Sequence, residues 1–290
     1  MPRELQAGQS AELYVINVDS GALTLVHSST DVLFEAPNWT SDGEWLILNA
    51  NGRLWRVSPA GGPFVEIPMP GVPPINNDHV VSPDASTVYV SSEDGHLYAV
   101  PLGEGDVRRV SNDHEGFTYY LHGVSPDGLV LAYIGMQRHP DGSVTTNVFT
   151  IPSAGGPDTQ LTDDKFPDDG SEFSPDGQWI YFNSERASDV AGHAQLHRMS
   201  RSGDDLEQLT FDERVNWFPH ISPTGDRIAY ISFPTGTLGH PADVDVIIRL
   251  LKDGEITDLA SVFGGQGTMN VPSWDPTGSH LAFVAYPLAN

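Results

Sequence analysis

The sequence predicts an all-β protein, a six-bladed β-propeller, on three observations. A tight-turn motif recurs six times: Thr40-Ser41-Asp42-Gly43, Ser82-Pro83-Asp84-Ala85, Ser125-Pro126-Asp127-Gly128, Ser174-Pro175-Asp176-Gly177, Ser222-Pro223-Thr224-Gly225 and Asp275-Pro276-Thr277-Gly278. The spacings are 42, 43, 49, 48 and 53 residues, and strand-like runs rather than helical periodicity fill them. A period of about 40–50 residues with roughly four strands in each is the size of a propeller blade. Finally, the two chain ends carry complementary halves of one repeat.

Each element follows from its residues. In the turns Pro presets φ, Asp bonds its own backbone and Gly accepts a positive φ. A β-branched and aromatic run follows each turn, such as Trp45-Leu46-Ile47-Leu48, Trp179-Ile180-Tyr181-Phe182 or Leu281-Ala282-Phe283-Val284, as in a buried central strand. A second strand comes next, for example Leu54-Trp55-Arg56-Val57, Leu97-Tyr98-Ala99-Val100 or Ile247-Ile248-Arg249-Leu250. Then a glycine turn leads to a short polar outer strand, as in Thr159-Gln160-Leu161-Thr162 and Glu207-Gln208-Leu209-Thr210.

The last repeat stops after Leu281–Tyr286, two strands into a blade. The chain begins with two strands, Leu13-Tyr14-Val15-Ile16 and Leu23-Thr24-Leu25-Val26. The N-terminal strands are therefore expected to complete the last blade and close the ring, removing the exposed edges that invite aggregation. The repeat uses the whole chain, so residues 1–290 read as a single domain.

Thirty-nine acidic against 14 basic residues give a net charge of −25. Nucleic acid is an unsuitable partner, because binding it needs phosphate-neutralising Lys and Arg. Anionic membrane is unsuitable for the same reason, and no apolar stretch approaches the ~20 residues needed to cross a bilayer. There is no cysteine, hence no disulfide or thiolate chemistry. The N-terminus Met1-Pro2-Arg3-Glu4-Leu5-Gln6 has no apolar signal core, which reads as cytoplasmic; a chain trimmed of a signal peptide would be periplasmic.

The innermost strand of each blade lies just before each turn motif and lines the channel. The residue immediately before the motif is apolar in all six copies: Trp39, Val81, Val124, Phe173, Ile221 and Trp274. One or two residues earlier stand His79, His122, Glu172 and His220, from four successive blades. His79, His122 and His220 are candidate ligands for a divalent metal (Mn, Zn, Fe or Ca), because three imidazoles with a carboxylate make a usual ligand set. Glu172 and Asp169 are candidate acid–base groups, as is His240 from the Gly239-His240-Pro241 insertion. Asn38, Asn77, Asp78 and Asn270 stand nearby as candidate substrate-binding residues. The alternative is that these polar groups only hydrogen-bond water in a wet channel. His79 and His122 also sit one residue earlier than Glu172 and His220, so strand alternation separates the two pairs unless a bulge intervenes.

Further candidates come from segments that break the repeat. Residues 183–195 and 233–246 are insertions, and Phe263-Gly264-Gly265-Gln266-Gly267-Thr268 reads as a loop before the last inner strand. Loops on a rigid scaffold tend to carry function, so Arg186, Trp217 and Gln266 join the substrate-binding candidates. Arg186 either clamps a ligand carboxylate or pairs with one of the many acids. No G-x-S-x-G, phosphate-binding glycine loop or H-E-x-x-H is present.

The Ser-Pro-Asp-Gly repeats, with Gln208-Leu209-Thr210-type outer strands, resemble the TolB-type propeller repeat over essentially the whole chain. TolB itself adds an N-terminal α/β domain and a secretion signal, neither of which is found in this sequence. The chain more closely resembles a group of stand-alone TolB-like propellers through Asn76-Asn77-Asp78-His79, His122-Gly123, Asp168-Asp169-Gly170, Asn216-Trp217-Phe218-Pro219-His220 and Gly264-Gly265-Gln266-Gly267-Thr268. It is more distantly similar to oligogalacturonate lyase, a seven-bladed propeller with a manganese site. That similarity implies β-elimination beside a sugar carboxylate or ketone. Two readings are expected: a channel site for a small polar, carbohydrate-derived ligand, acting as a metal-assisted lyase or hydrolase; or a non-catalytic module that binds a protein or peptide partner.

Overall fold

Sheets radiate from a common axis in the computed structural model, which describes residues 3–289. Five sheets are four-stranded, antiparallel and ordered along the chain. Blade I runs Phe34–Trp39, Leu46–Ala50, Arg53–Val57, Val65–Glu66, and blade II Ile75–Val81, Thr87–Ser92, Leu97–Pro101, Arg108–Arg109. Blade III runs Phe117–Val124, Val130–Arg138, Val144–Pro152, Thr159–Gln160, and blade IV Asp168–Phe173, Trp179–Ser184, Gln195–Ser200, Glu207–Gln208. Blade V runs Val215–Ile221, Ile228–Phe233, Ala242–Lys252, Glu255–Gly265. The all-β, six-bladed propeller expected from the repeats is the observed architecture.

Blade VI draws on both ends of the chain. Ala11–Asn17 lies between Leu23–Ser29 and His280–Ala285, with Glu12 opposite Ala285 and Ile16 opposite Leu281. Its innermost segment is irregular rather than a named strand. It is held by Ala282 N–H on the Ser273 carbonyl (2.9 Å), Val284 N–H on the Thr268 carbonyl (3.0 Å) and a bridge from Trp274 to Leu281.

The repeated turn is built from its side chains. Ser82 Oγ donates to Asp84 Oδ1 (2.6 Å) and accepts from Thr87 N–H (3.0 Å), and the same contacts recur at Ser125–Asp127–Val130 and Ser174–Asp176–Trp179. The fourth turn position has positive φ in every copy; at Ala85 an alanine holds φ 55° where five copies have glycine. The core is divided among the blade interfaces. Tyr89 and Leu97 of blade II pack on Tyr119, Leu121 and Tyr133 of blade III, and Ala132, Ile134 and Val148 of blade III on Phe173, Ile180 and Phe182 of blade IV.

Every inner strand of blades I to V is bulged near its middle. The register slips between Glu35 and Asn38, Ile75 and His79, Leu121 and Gly123, Asp169 and Glu172, and Trp217 and His220. A bulge adds a residue to one strand and resets which side chains face which way. Ala36 (φ 54°), Gly170 (φ 68°) and Phe218 (φ 56°) occupy the left-handed region inside three of these slips.

Candidate functional site

The outer hairpin of blade V builds one wall of the site. Its strands are 11 residues each, against two residues for the outer strands of blades I to IV. The expected loop at 263–268 therefore begins as strand, and pairing continues to Gly265 opposite Ala242. A Cβ on Gly265 would lie 2.1 Å from the Pro241 carbonyl, so only glycine lets the two segments close. Gln266 N–H donates to that carbonyl at 3.1 Å, which sets Gln266 beside His240.

The Gln266 amide is fixed from three sides. Its Oε1 accepts from His240 Nδ1 and from Asn270 Nδ2 (2.9 Å), while its Nε2 donates to Asn77 Oδ1 (3.1 Å). His240 rests on Trp217 and Phe218, with ring centroids 4.5 and 5.1 Å away. Its Nε2 faces Asp169 Oδ2 at 3.5 Å, and His122 Nε2 approaches the other oxygen of Asp169 at 2.8 Å. One carboxylate from blade IV thus joins an imidazole from blade III to one from the blade V insertion.

The charges follow from this geometry. His240 Nδ1 must donate to Gln266, so a neutral ring would turn a lone pair toward Asp169. Burial opposes charge on both histidines, but Asp169 outweighs it: His240 is raised, and His122 is pushed up to about 9. Asp169, despite burial, is held well below the usual carboxylate range by His122 and His240. Asp78, buried close by with Asn76 Nδ2 on its Oδ2 (2.8 Å), is different. Desolvation pushes it up to about 6, with His122 opposing and Asp169 adding to the rise.

These groups face a cavity of about 430 Å³, lined also by Tyr120, Phe218, Met136 and Thr146. Of the residues expected from sequence, the structure brings together His122, Asp169, His240, Asp78, Asn77, Gln266 and Asn270. Trp217 stands behind His240 as its support. Tyr120, Phe218, Met136 and Thr146 were missed. Phe218 had a signal in the Trp217-Phe218-Pro219 break and Tyr120 in its place on the inner strand two residues before His122, while Met136 and Thr146 lie on the second and third strands of blade III and gave none.

Other expected site residues lie elsewhere. His79 is fully buried, donates Nε2 to the Ile47 carbonyl (3.2 Å) and is pulled down to about 4 by burial. His220 uses both ring nitrogens, Nδ1 on Glu172 Oε2 (2.7 Å) and Nε2 on the Met269 carbonyl (3.0 Å). Glu172 also accepts from Ile221 N–H (3.0 Å). Asn38 joins blades by donating to the Pro272 carbonyl and accepting from Val81 N–H (2.7 Å). Arg186 grips both oxygens of Asp168 (2.8 and 2.9 Å), so the pairing with a neighbouring acid is the one observed.

The expected metal set of His79, His122 and His220 is corrected accordingly. The three turn to different partners, His79 to the Ile47 carbonyl, His122 to Asp169 and His220 to Glu172 and the Met269 carbonyl, so each of His220's nitrogens already has a protein acceptor. Among the described residues no group of three or more His, Asp or Glu side chains is placed to hold a metal ion. The donor set does not fit the manganese, zinc, iron or calcium anticipated from sequence.

The opposite mouth has another character. Trp39, Val81, Val124, Phe173, Ile221 and Trp274, the apolar residues before each turn, ring a cavity of about 240 Å³. Among the described residues no helix is long and apolar enough to cross a membrane.

Comparison with known proteins places this arrangement. The TolB beta propeller domain (PD40) matches residues 139–239. An uncharacterised protein of Agrobacterium fabrum is 35% identical over 283 residues, 95% of this chain and 92% of its own. A solved structure from Agrobacterium tumefaciens, described as a TolB, superposes with TM-score 0.88 at 34% identity, covering 97% of this chain and 99% of that one. An oligogalacturonate lyase in complex with manganese superposes with TM-score 0.60 at 14% identity, over 90% of this chain and 73% of that one; this shows a shared fold.

Proposed function

Since this chain belongs to the TolB-like β-propeller family, we propose that the cavity at the His240 mouth binds a small polar, carbohydrate-derived ligand and exchanges a proton with it. The observation that carries the reading is the buried His122–Asp169–His240 chain facing the same cavity as Asp78. Strongly perturbed titratable groups gathered in one cleft mark a functional site.

The roles follow from the charges. Asp78, held near 6, is mostly ionised at neutral pH yet takes a proton readily, as a general base should. The His122 and His240 imidazoliums, fixed in place by Asp169 and Gln266, supply positive charge where a carbanion beside a carboxylate or ketone would develop. Tyr120, kept protonated by burial and by Asp78 and Asp169, offers a hydroxyl to the same cavity. Amides of Asn76, Asn77 and Asn270 suit sugar hydroxyls, and the Phe218 ring suits a sugar face. The reaction class this serves is elimination or hydrolysis on a sugar acid or keto-sugar, carried by the chain's own residues.

The test is calorimetric titration with uronates and keto-sugars, followed by a search for unsaturated products by ultraviolet absorbance. Binding that is lost in His240→Ala and Asp78→Asn, with both variants shown by circular dichroism to be folded at the assay temperature, supports the reading. Equal binding by both variants overturns it. The second reading, a module for a protein or peptide, draws on the apolar ring at the other mouth. A stoichiometric partner whose binding fails in Trp274→Asp but survives His240→Ala would favour it.

A further inference from the structure

A second cavity, of about 180 Å³, opens beside the first, and the two share Asn76, Asn77 and Gln266 as a common wall. The hydrogen bond from Gln266 to Asn77 (3.1 Å) forms the sill between them. The second cavity is bounded by Arg3, Glu35 and Asn49 on one side and by Asn51 and Glu93 on another. Its groups are mostly amides and carboxylates, which together accept and donate in several directions.

Two polar atoms there have no partner. Asn49 is 5% exposed, and its Nδ2 donates to Glu35 Oε2 (3.2 Å), but its Oδ1 is buried and unpaired. Arg3 Nε is likewise buried without an acceptor, although its other nitrogens reach Glu35, Asp243 and the Gln266 carbonyl. Leaving such groups unpaired costs about 1–3 kcal/mol each, so native proteins seldom do so without a reason. An acceptor and a donor left over in the wall of one cavity make that wall polar beyond its internal pairings.

We propose that this cavity is a second subsite, and that the ligand is a chain of at least two linked sugar units, one in each cavity across the Asn77–Gln266 sill. The inference rests on the reading of the first cavity as a carbohydrate site. The first cavity, with the titrating groups, holds the unit acted on; the second, with no imidazole on its wall, selects for its neighbour.

Calorimetry separates the two claims. The probes are galacturonate with digalacturonate and glucose with cellobiose, titrated into the full chain and into Glu93→Gln and Asn51→Asp, the latter tolerating the φ of 52° at that position. A disaccharide binding about tenfold or more tighter than its own monosaccharide, with the two variants lowering disaccharide affinity more than monosaccharide affinity, is the expected result. A monosaccharide and disaccharide of equal affinity would overturn the subsite and leave the first cavity standing. No binding by any of the four probes would overturn the carbohydrate reading and the subsite with it.

Discussion

His122 Nε2 stands 2.8 Å from Asp169 Oδ1, with both groups inside the ring and Phe218 stacked against the imidazole at 5.7 Å. This ion pair makes His122 a cation where burial alone would keep it neutral. Asp169→Asn should therefore bring His122 from about 9 to the ordinary 6.5 or lower. Imidazole nitrogen shifts across a pH titration check this; an unchanged His122 titration would reject the pairing.

The same pair gives stability a defined pH window. The folded value of His122 lies above its unfolded one, so its contribution is complete below about 6.5 and is lost as pH rises through about 9. The folded value of Asp169 is depressed, so its contribution is present above about 3.8 and is lost on acidification below that. Urea unfolding should show Asp169→Asn costing about 3 kcal/mol between about pH 3.8 and 6.5, and progressively less as pH rises from about 6.5 to about 9.

Asp78 acts in the opposite sense. Its folded value, about 6, lies above 3.8, so the fold loses stability as pH rises between the two. Asp78→Asn should stabilise the fold by about 2 kcal/mol at neutral pH and by almost nothing near pH 4. Denaturant midpoints at the two pH values decide this, and equal effects at both would contradict the burial of Asp78.

Arg3 neutralises Glu35 (3.3 Å) and Asp243 (2.7 Å), lies 4.0 Å over the Tyr286 ring and donates to the Gln266 carbonyl at 2.8 Å. Removing it leaves the buried Glu35 without its cation. Arg3→Gln should cost about 2 kcal/mol, while Arg3→Gln combined with Glu35→Gln should recover part of that loss. A double-mutant cycle measures the coupling.

Ala85 offers a stabilising change. It holds φ 55° in a turn where glycine fills the same place in the other copies. The left-handed conformation costs an L-residue about 1–2 kcal/mol, partly offset by the greater freedom of unfolded glycine. Ala85→Gly should raise stability by about 0.5–1 kcal/mol in thermal or urea unfolding.

What could be read from sequence divides along physical lines. Turns such as Ser174-Pro175-Asp176-Gly177 announce themselves because each residue answers a local backbone need, so the blades and their number were legible. The phase of the inner strands was not. The slips at Asp169/Glu172 and Trp217/His220 depend on how neighbouring blades crowd the axis: a Cβ on Gly123 would fall 2.7 Å from the Ser171 carbonyl. Hence His122 and Asp169 met as members of one site, while His79 and His220 were absorbed into the scaffold. Residues 263–265 read as a loop for their glycines, yet they pair as strand with Ala242, Val244 and Asp245, and the missing side chain at Gly265 is what lets the Pro241 carbonyl approach.

The blade that draws on both chain ends has a kinetic consequence. Ala11–Asn17 is made long before its partner His280–Ala285. Until that partner emerges, one edge of the early hairpin waits unpaired, and pairing across such a separation requires the slow closure of a very long loop. The rate-limiting step of refolding should therefore be the docking of these two strands. Substitutions in Leu13 or Val284 should therefore slow folding, and an unchanged folding rate with faster unfolding would place the docking after the barrier.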